Sequence, residues 1–166
     1  MAETIVIRLG SRYQDTIHWL ITAADTKEII ASGELASAER LGELTEKASS
    51  RRVVVLVPAC DVALKSLKVP NNSLRTMKQV VPYMVEEELA QEVESLFFAY
   101  ANIKSDATDN NCFVAAVDKK LISQWLTWLA EADIKCKTML PDALTMPILE
   151  NSYSFIALGQ QLVLRQ

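Results

Sequence analysis

The stretch Ile5-Val6-Ile7-Arg8-Leu9-Gly10-Ser11 alternates in apolar character, reaches a glycine and turns, and Ile17-His18-Trp19-Leu20-Ile21 alternates again behind it. Two period-two runs on either side of a polar turn read as an antiparallel hairpin, with strands expected over residues 4–9 and 17–23. Outward from this hairpin, Glu28-Ile29-Ile30-Ala31-Ser32-Gly33-Glu34 supplies a third strand, after which Gly33 is expected to let the chain swing away. Ser37 then stands where it would cap a short helix running to about Ser49, with Leu41 and Leu44 on the inner face. Beyond Arg51-Arg52, the run Val53-Val54-Val55-Leu56-Val57 is β-branched and continuously apolar, the pattern of a strand covered on both faces. Near the other end, Phe155-Ile156-Ala157-Leu158-Gly159-Gln160 runs into a single glycine and returns as Leu162-Val163-Leu164, a second hairpin of the same form.

The middle of the chain reads differently. Val62–Val69 forms a half-exposed strand closed by Pro70, and Asn72 or Ser73 is placed to cap a long helical segment. Leu74, Met77, Val81, Met84, Leu89 and Val93 share one stripe of that segment, and Pro82 inside it predicts a kink or break near Val81. Two strands near Leu96–Ile103 and Cys112–Val117 flank the polar loop 104–111, which is expected to be mobile. Asp118 caps a helix over Lys119–Ala132 whose apolar face carries Leu121, Ile122, Trp125, Leu126 and Leu129. A strand over Lys135–Leu140 and a helical turn around Asp142–Met146 lead to the second hairpin. The reading divides the chain into a subdomain of residues 1–58 with 134–166 and an inserted α/β subdomain of residues 59–133.

With 166 residues, half of them apolar, the chain is long enough to bury a core of its own. Seventeen basic and twenty-one acidic residues leave a net charge of −4, which provides no electrostatic footprint for nucleic acid. The three cysteines, Cys60, Cys112 and Cys136, are widely spaced among apolar residues and read as buried thiols of a reducing compartment. The N-terminus lacks a basic leader, and no run approaches the length of a membrane span.

The strand–glycine–strand hairpins resemble the two phosphate hairpins of the actin-like ATPases, and the order β-β-β-α-β resembles the opening half of a ribonuclease-H-like or actin-like fold. In that family each hairpin reads roughly Asp-x-Gly, the aspartates serving Mg²⁺ and the attacking water while glycine amides approach the phosphates. Here Arg8 and Ala157 stand at the aspartate positions. Arg8 cannot ligate Mg²⁺, and Ser11, Arg12, Tyr13 and Gln14 bring bulky side chains where a phosphate needs bare backbone. The resemblance therefore implies an actin-like scaffold without a functional nucleotide site, no catalytic residues, and no cofactor or metal. Arg8 itself is expected at a partly solvated edge and Ala157 packed.

A second resemblance covers the whole chain. Val81-Pro82-Tyr83-Met84-Val85-Glu86-Glu87-Glu88-Leu89-Ala90-Gln91 is similar to the Leu-Pro-Tyr-Leu-Leu-Glu-Asp-Glu-Ile-Ala-Gln segment of the L proteins of the bacterial type II secretion system. Val6-Ile7-Arg8-Leu9, Ile29–Leu35, Val69-Pro70, Val117-Asp118 and Leu140-Pro141-Asp142-Ala143-Leu144-Thr145-Met146-Pro147 fit the same family in order. This resemblance implies a non-catalytic cytoplasmic adaptor that recruits the secretion ATPase, through its N-terminal domain, to the inner-membrane platform. Other platform proteins and a second copy of the chain are further implied partners. The family has a longer cytoplasmic part, one membrane-spanning helix and a periplasmic domain, so the chain reads as a C-terminally truncated piece. It would lie at the cytoplasmic face of the inner membrane and touch the membrane only through a segment it does not contain. Glu86, Glu87, Glu88 and Glu92 are the candidate partner-binding residues, the charged rim of an apolar patch.

Other readings compete with this one. Glu86, Glu87 and Glu88 are consecutive and fan over about 200° of a helix, so they do not converge on one ion. Glu88 and Glu92 would be neighbours four residues apart, without a third ligand. A solvated acidic face is the plain alternative, and strand edges of the meander offer β-addition as another docking mode. His18 is the only histidine and alternates with Ile17 and Trp19, which makes it a strand-face residue rather than a catalytic base. Trp125 and Trp128 read as core, with Trp128 at the margin of the apolar face as a candidate interface anchor. The alternatives for the whole chain are an actin-like type IV pilus assembly protein and a nucleotide-hydrolysing actin-like enzyme. Both would be expected to keep the hairpin aspartates.

Overall fold

The computed structural model describes residues 3–25, 28–69, 74–89, 91–103, 111–148, 150–158 and 161–165. Its elements run β1 (Thr4–Arg8), β2 (Ile17–Thr22), β3 (Ile29–Leu35), α1 (Thr45–Ser49), β4 (Arg52–Val57), β5 (Val62–Lys68), α2 (Leu74–Val85), β6 (Leu96–Ile103), β7 (Asn111–Asp118), α3 (Lys119–Glu131), β8 (Thr138–Pro141), β9 (Ser154–Leu158) and β10 (Gln161–Arg165). They fall into two compact units, Met1–Cys60 with Ser123–Gln166, and Asp61–Ile122. The caps expected at Asn72 or Ser73, Pro70, residues 104–110 of the polar loop, and the turn at Gly159 lie outside the described residues.

The first unit is built on a five-stranded mixed sheet of order β3-β2-β1-β4-β8. The first three strands form an antiparallel meander, and β4 and β8 continue it in parallel with β1. Strand alternation assigns the faces. Ile5 and Ile7 of β1, Ile17 and Ile21 of β2, and Val53 and Val55 of β4 are buried on the inner face, together with Leu41 and Leu44 of the 3₁₀ segment Ala38–Leu44 and Trp125 and Leu129 of α3. Each such side chain contributes about 1.5–3 kcal/mol by leaving water. Ser37 occupies the N-cap position expected of it but makes no side-chain capping bond. Gly33 does not end the third strand. It sits inside β3, opposite Trp19, where an added Cβ would meet the indole ring at 2.9 Å.

The turn after β1 is tied down on several sides. Leu9 N–H donates to the Leu56 carbonyl (2.9 Å), Arg12 N–H to Asp15 Oδ2 (2.9 Å), and Ala38 N–H to the Tyr13 carbonyl (2.9 Å). The Trp125 indole N–H donates to the Gly10 carbonyl at 2.9 Å, and Tyr13 meets the buried Trp128 edge to face, centroids 5.7 Å apart. Trp128 is therefore core rather than an interface anchor, whereas Leu126, expected on the apolar face, is half exposed. A Cβ on Gly10 would stand 2.2 Å from Asp15 Cβ. Gly10→Ala is accordingly expected to force the turn apart and to destabilise by about 1–3 kcal/mol in urea titrations. An unchanged midpoint would show that the turn yields without cost.

The second unit pairs β5-β7-β6 into an antiparallel sheet. Its core gathers Val69, Met77, Val81, Cys112 and Val114, with Leu67, Phe98 and Tyr100 packed against it. Asp118 ends β7 and accepts the Lys120 N–H at 2.6 Å, the cap expected there. The long helix predicted through Val93 does not form. α2 passes through Pro82 and ends at Val85, Glu86–Glu88 makes one 3₁₀ turn, and Leu89 is extended. A helix continued through this segment would set Glu88 and Glu92 four residues apart on one face, a like-charge pair that disfavours it. The buried stripe is consequently Met77, Val81 and Val85, while Met84 is exposed. Of the cysteines only Cys112 is buried. Cys136 is half-buried and Cys60 exposed. Burial pushes the Cys112 and Cys136 thiols up from their ordinary range.

Candidate functional site

Arg8 stands at the C-terminal end of β1. Arg8 is not at a solvated edge: it is 7% exposed, and its Nε donates to Asp142 Oδ2 at 2.9 Å. Asp142, 4% exposed, opens the 3₁₀ turn Asp142–Thr145 that follows β8, and its Oδ1 accepts the Ala59 N–H at 2.9 Å just beyond β4. One carboxylate thus joins the ends of three parallel strands. Both of its oxygens are engaged, one by a cation and one by a backbone donor, the arrangement a buried charge requires. In the sequence Asp142 belongs to a helical turn and to the family-like stretch Leu140–Pro147, with no role of its own. Its partner lies 134 residues away, so no local pattern reports the pairing.

Two ladders of side chains cross the outer face of this sheet. Ser32, Leu20, Val6, Val54 and Thr138 form one row, and Glu34, His18, Arg8, Leu56 and Leu140 the next. Above them lies a cleft of about 430 Å³, lined chiefly by Val6, Leu20, Leu56, Met146 and Ile156, with Arg8 and Asp142 in its wall. His18 Nδ1 lies 3.2 Å from Glu34 Oε1 on the same face, the strand-face position expected of it. Arg8 and Asp142 offset one another's charge, and much of the remaining lining is aliphatic. Such a surface favours apolar contact over binding an anion.

The second hairpin does not bring a functional group to this place. Ala157, expected to be packed, is exposed on β9, paired with Leu162 of β10. Phe155, Leu162 and Leu164 lie on the same side of the hairpin and are 73%, 67% and 56% exposed.

The acidic candidates belong to the second unit. Glu86, Glu87 and Glu88 share the 3₁₀ turn after α2, whereas Glu92 precedes a separate turn, Val93–Ser95, in an extended conformation. The spacing of four between Glu88 and Glu92 therefore does not place them on one helical face. Glu86, Glu88 and Glu92 are exposed, and Glu88 Oε2 pairs with Lys65 Nζ at 2.5 Å. Tyr83 and Met84, in the last turn of α2, are 69% and 39% exposed next to the acidic turn in sequence. The sequence called for an apolar patch rimmed by charge, but the identity of its apolar members depends on where α2 stops. Among the described residues, no three of His, Cys, Asp and Glu gather as a metal site, and no helix is long and apolar enough to cross a membrane.

The mixed five-stranded sheet and the antiparallel α/β unit have counterparts among solved structures. A chain of the PilM–PilN type IV pilus biogenesis complex superposes at a TM-score of 0.63 and 17% identity, over 83% of this chain and 47% of that one. The chain belongs to the type II secretion system protein L family, whose sequence profile matches residues 5–166. It is 32% identical to type II secretion system protein L of Vibrio cholerae over 166 residues, all of this chain and 40% of that protein. The solved cytoplasmic domain of EpsL, an inner membrane component of the Vibrio cholerae type II secretion system, superposes with a TM-score of 0.85 at 32% identity, over 99% of this chain and 68% of that one. The chain spans about two fifths of the length of the curated relatives it matches.

Proposed function

We propose that the chain is a non-catalytic adaptor domain of the type II secretion apparatus, an actin-like scaffold whose nucleotide position has been turned into structure. The buried Arg8–Asp142 pair carries this reading. The carboxylate nearest the strand ends has one oxygen on Arg8 and the other on the Ala59 N–H, so neither is held ready for Mg²⁺. The backbone of the first hairpin is similarly committed: the Gly10 carbonyl takes the Trp125 indole, and Asp15 fills the space beside the Gly10 Cα. Family membership adds that the setting is type II secretion.

In this reading the task is to hold the secretion ATPase at the inner-membrane platform. The docking surface is the exposed Tyr83 and Met84 with Glu86, Glu87, Glu88 and Glu92 as its acidic rim. A partner segment offering a basic, partly apolar face fits it, with the charges orienting the encounter and the aromatic residue supplying contact area. The test is titration calorimetry of the protein with the N-terminal domain of the ATPase from the same cell, and separately with Mg-ATP. Reversing the four glutamates to lysine is expected to weaken ATPase binding at least about tenfold, or about 1.4 kcal/mol. Thermal stability should barely move, since the exposed Lys65–Glu88 pair contributes about 0–1 kcal/mol. Unchanged affinity would remove the acidic turn from the interface. Saturable binding of Mg-ATP would overturn the scaffold reading itself.

A further inference from the structure

The charges on the outward face of α2 are set out in reverse. Met77, Val81 and Val85 are buried on the inward side of this helix. Arg75, Gln79, Pro82, Tyr83 and Glu86 recur at spacings of three and four along the opposite stripe, and all but Pro82 are exposed. Arg75 stands in the first turn of α2, and Glu86 follows its last residue, Val85, whose backbone is still right-handed helical. A helix dipole favours the opposite order, acid at the start and base at the end. Among the described residues neither side chain has an ion-pair partner. The two charges therefore stabilise neither their own helix nor any contact with the described residues. They are, however, complementary to each other across a two-fold axis. When a second α2 is turned about an axis passing between Val80 and Val81, it runs antiparallel to the first. Arg75 and Glu86 lie at equal distances on either side of that axis, about 8 Å along the helix, so Arg75 of each copy meets Glu86 of the other. The same operation sets Gln79 opposite Pro82 and brings the Tyr83 ring against the aliphatic part of Gln79.

We infer that the outward stripe of α2 is a self-docking surface, on which a second copy of this chain packs antiparallel through two Arg75–Glu86 pairs around Gln79, Pro82 and Tyr83. The commitment to a second copy follows from the charge pattern. Isologous contacts need a patch in which each residue faces its complement after a two-fold turn, and this stripe meets that condition. Parallel packing would set Arg75 on Arg75 and Glu86 on Glu86, a juxtaposition that costs affinity. The helix is 12 residues long, and one such pair falls short of the roughly 1,200 Å² that stable interfaces bury. The association is accordingly weak, and its exposed ion pairs make it weaker as salt rises. Tyr83 and Glu86 also belong to the surface proposed for the ATPase, so the two occupants exclude one another. That consequence rests on the earlier reading, whereas self-association does not.

The experiment is sedimentation equilibrium of the whole chain at low salt, from micromolar to millimolar concentration, on the parent, Arg75→Glu, Glu86→Arg and an equimolar mixture of the two variants. The parent is expected to pass from monomer to dimer across this range. Each single exchange makes both contacts like-charged and should weaken dimerisation at least about tenfold. The mixture should recover it, because one variant then offers two acids at positions 75 and 86 and the other two bases. A benzophenone photocrosslinker at position 79 of the otherwise unchanged chain tests the same packing without altering a charge, and should give an interchain product with the peptide that holds Pro82. A parent that stays monomeric throughout overturns the inference and leaves the stripe to a partner of different sequence. So does a dimer indifferent to both exchanges, a mixture that fails to recover, or a crosslink to a peptide outside α2 and its following turn. No ATPase enters any arm, so failure here leaves the ATPase assignment standing, and failure of that assignment leaves this result standing.

Discussion

Replacing Arg8 by alanine is expected to cost about 3–5 kcal/mol of folding free energy, a large part of the stability of a chain this size. The loss does not come from the ion pair's net attraction, which desolvation of both partners largely cancels. It comes from what is left behind: the Asp142 carboxylate, 4% exposed, would lose its cation while the Ala59 N–H still donates to it, in a site with little access to water. Asp142→Asn should also destabilise, since the amide removes the negative charge that Arg8 Nε meets at 2.9 Å. The informative variant is the double replacement Arg8→Met with Asp142→Leu, which removes both charges and keeps the volume apolar. It is expected to recover most of either single loss, because buried ion pairs exchanged for packed apolar groups are often neutral or better. Urea midpoints of the parent, Arg8→Met, Asp142→Leu and the double variant form the cycle. Additive losses would show that Arg8 and Asp142 act separately, and the account of the strand ends as one paired structure would fail.

The same pair shows what was legible in the sequence. The alternation around Gly10, the unbroken valines of β4 and the Asp118 cap lie within a few residues of their consequences, and each appears in the structure where it was read. Arg8 was legible as an anomaly, a cation where the resembled hairpins carry an acid. Its environment was not, because the answering carboxylate arrives from the other end of the chain. The acidic turn failed differently. Periodicity extends α2 through the glutamates, whereas the like-charge pair Glu88–Glu92 that a continued helix would create weighs against it, and α2 ends at Val85. That changes the chemistry on offer: Glu86 and Glu88 project from one tight turn, and Glu92 belongs to the next, so the rim is short and irregular rather than a helical face. Ala157 departs from expectation for a third reason. A residue in an apolar strand reads as packed, but packing needs a neighbouring layer, and this side of the β9–β10 hairpin is open.

Trp125→Ala is expected to rival the ion-pair variants, at about 3–5 kcal/mol, because it combines two losses at one site. The indole is 1% exposed and among the largest wholly buried side chains of the first unit, so its removal leaves a cavity that the surrounding strands cannot close. It also withdraws the N–H that satisfies the Gly10 carbonyl. Trp125→Phe separates the two, keeping most of the volume while leaving that carbonyl without the indole, and should cost nearer about 1–3 kcal/mol. At about 2–4 °C per kcal/mol for a chain of this length, the alanine variant should melt at least about 6 °C below the parent. Leu126→Ala, one position on along α3 but half exposed, should stay within about 0.5 kcal/mol of it. Equal losses at 125 and 126 would mean that α3 is rotated from the orientation that delivers Trp125 to Gly10. The first hairpin turn would then lack its tie to α3 through Trp125, and its rigidity could no longer be offered as a reason why the position beside Gly10 is closed to a phosphate.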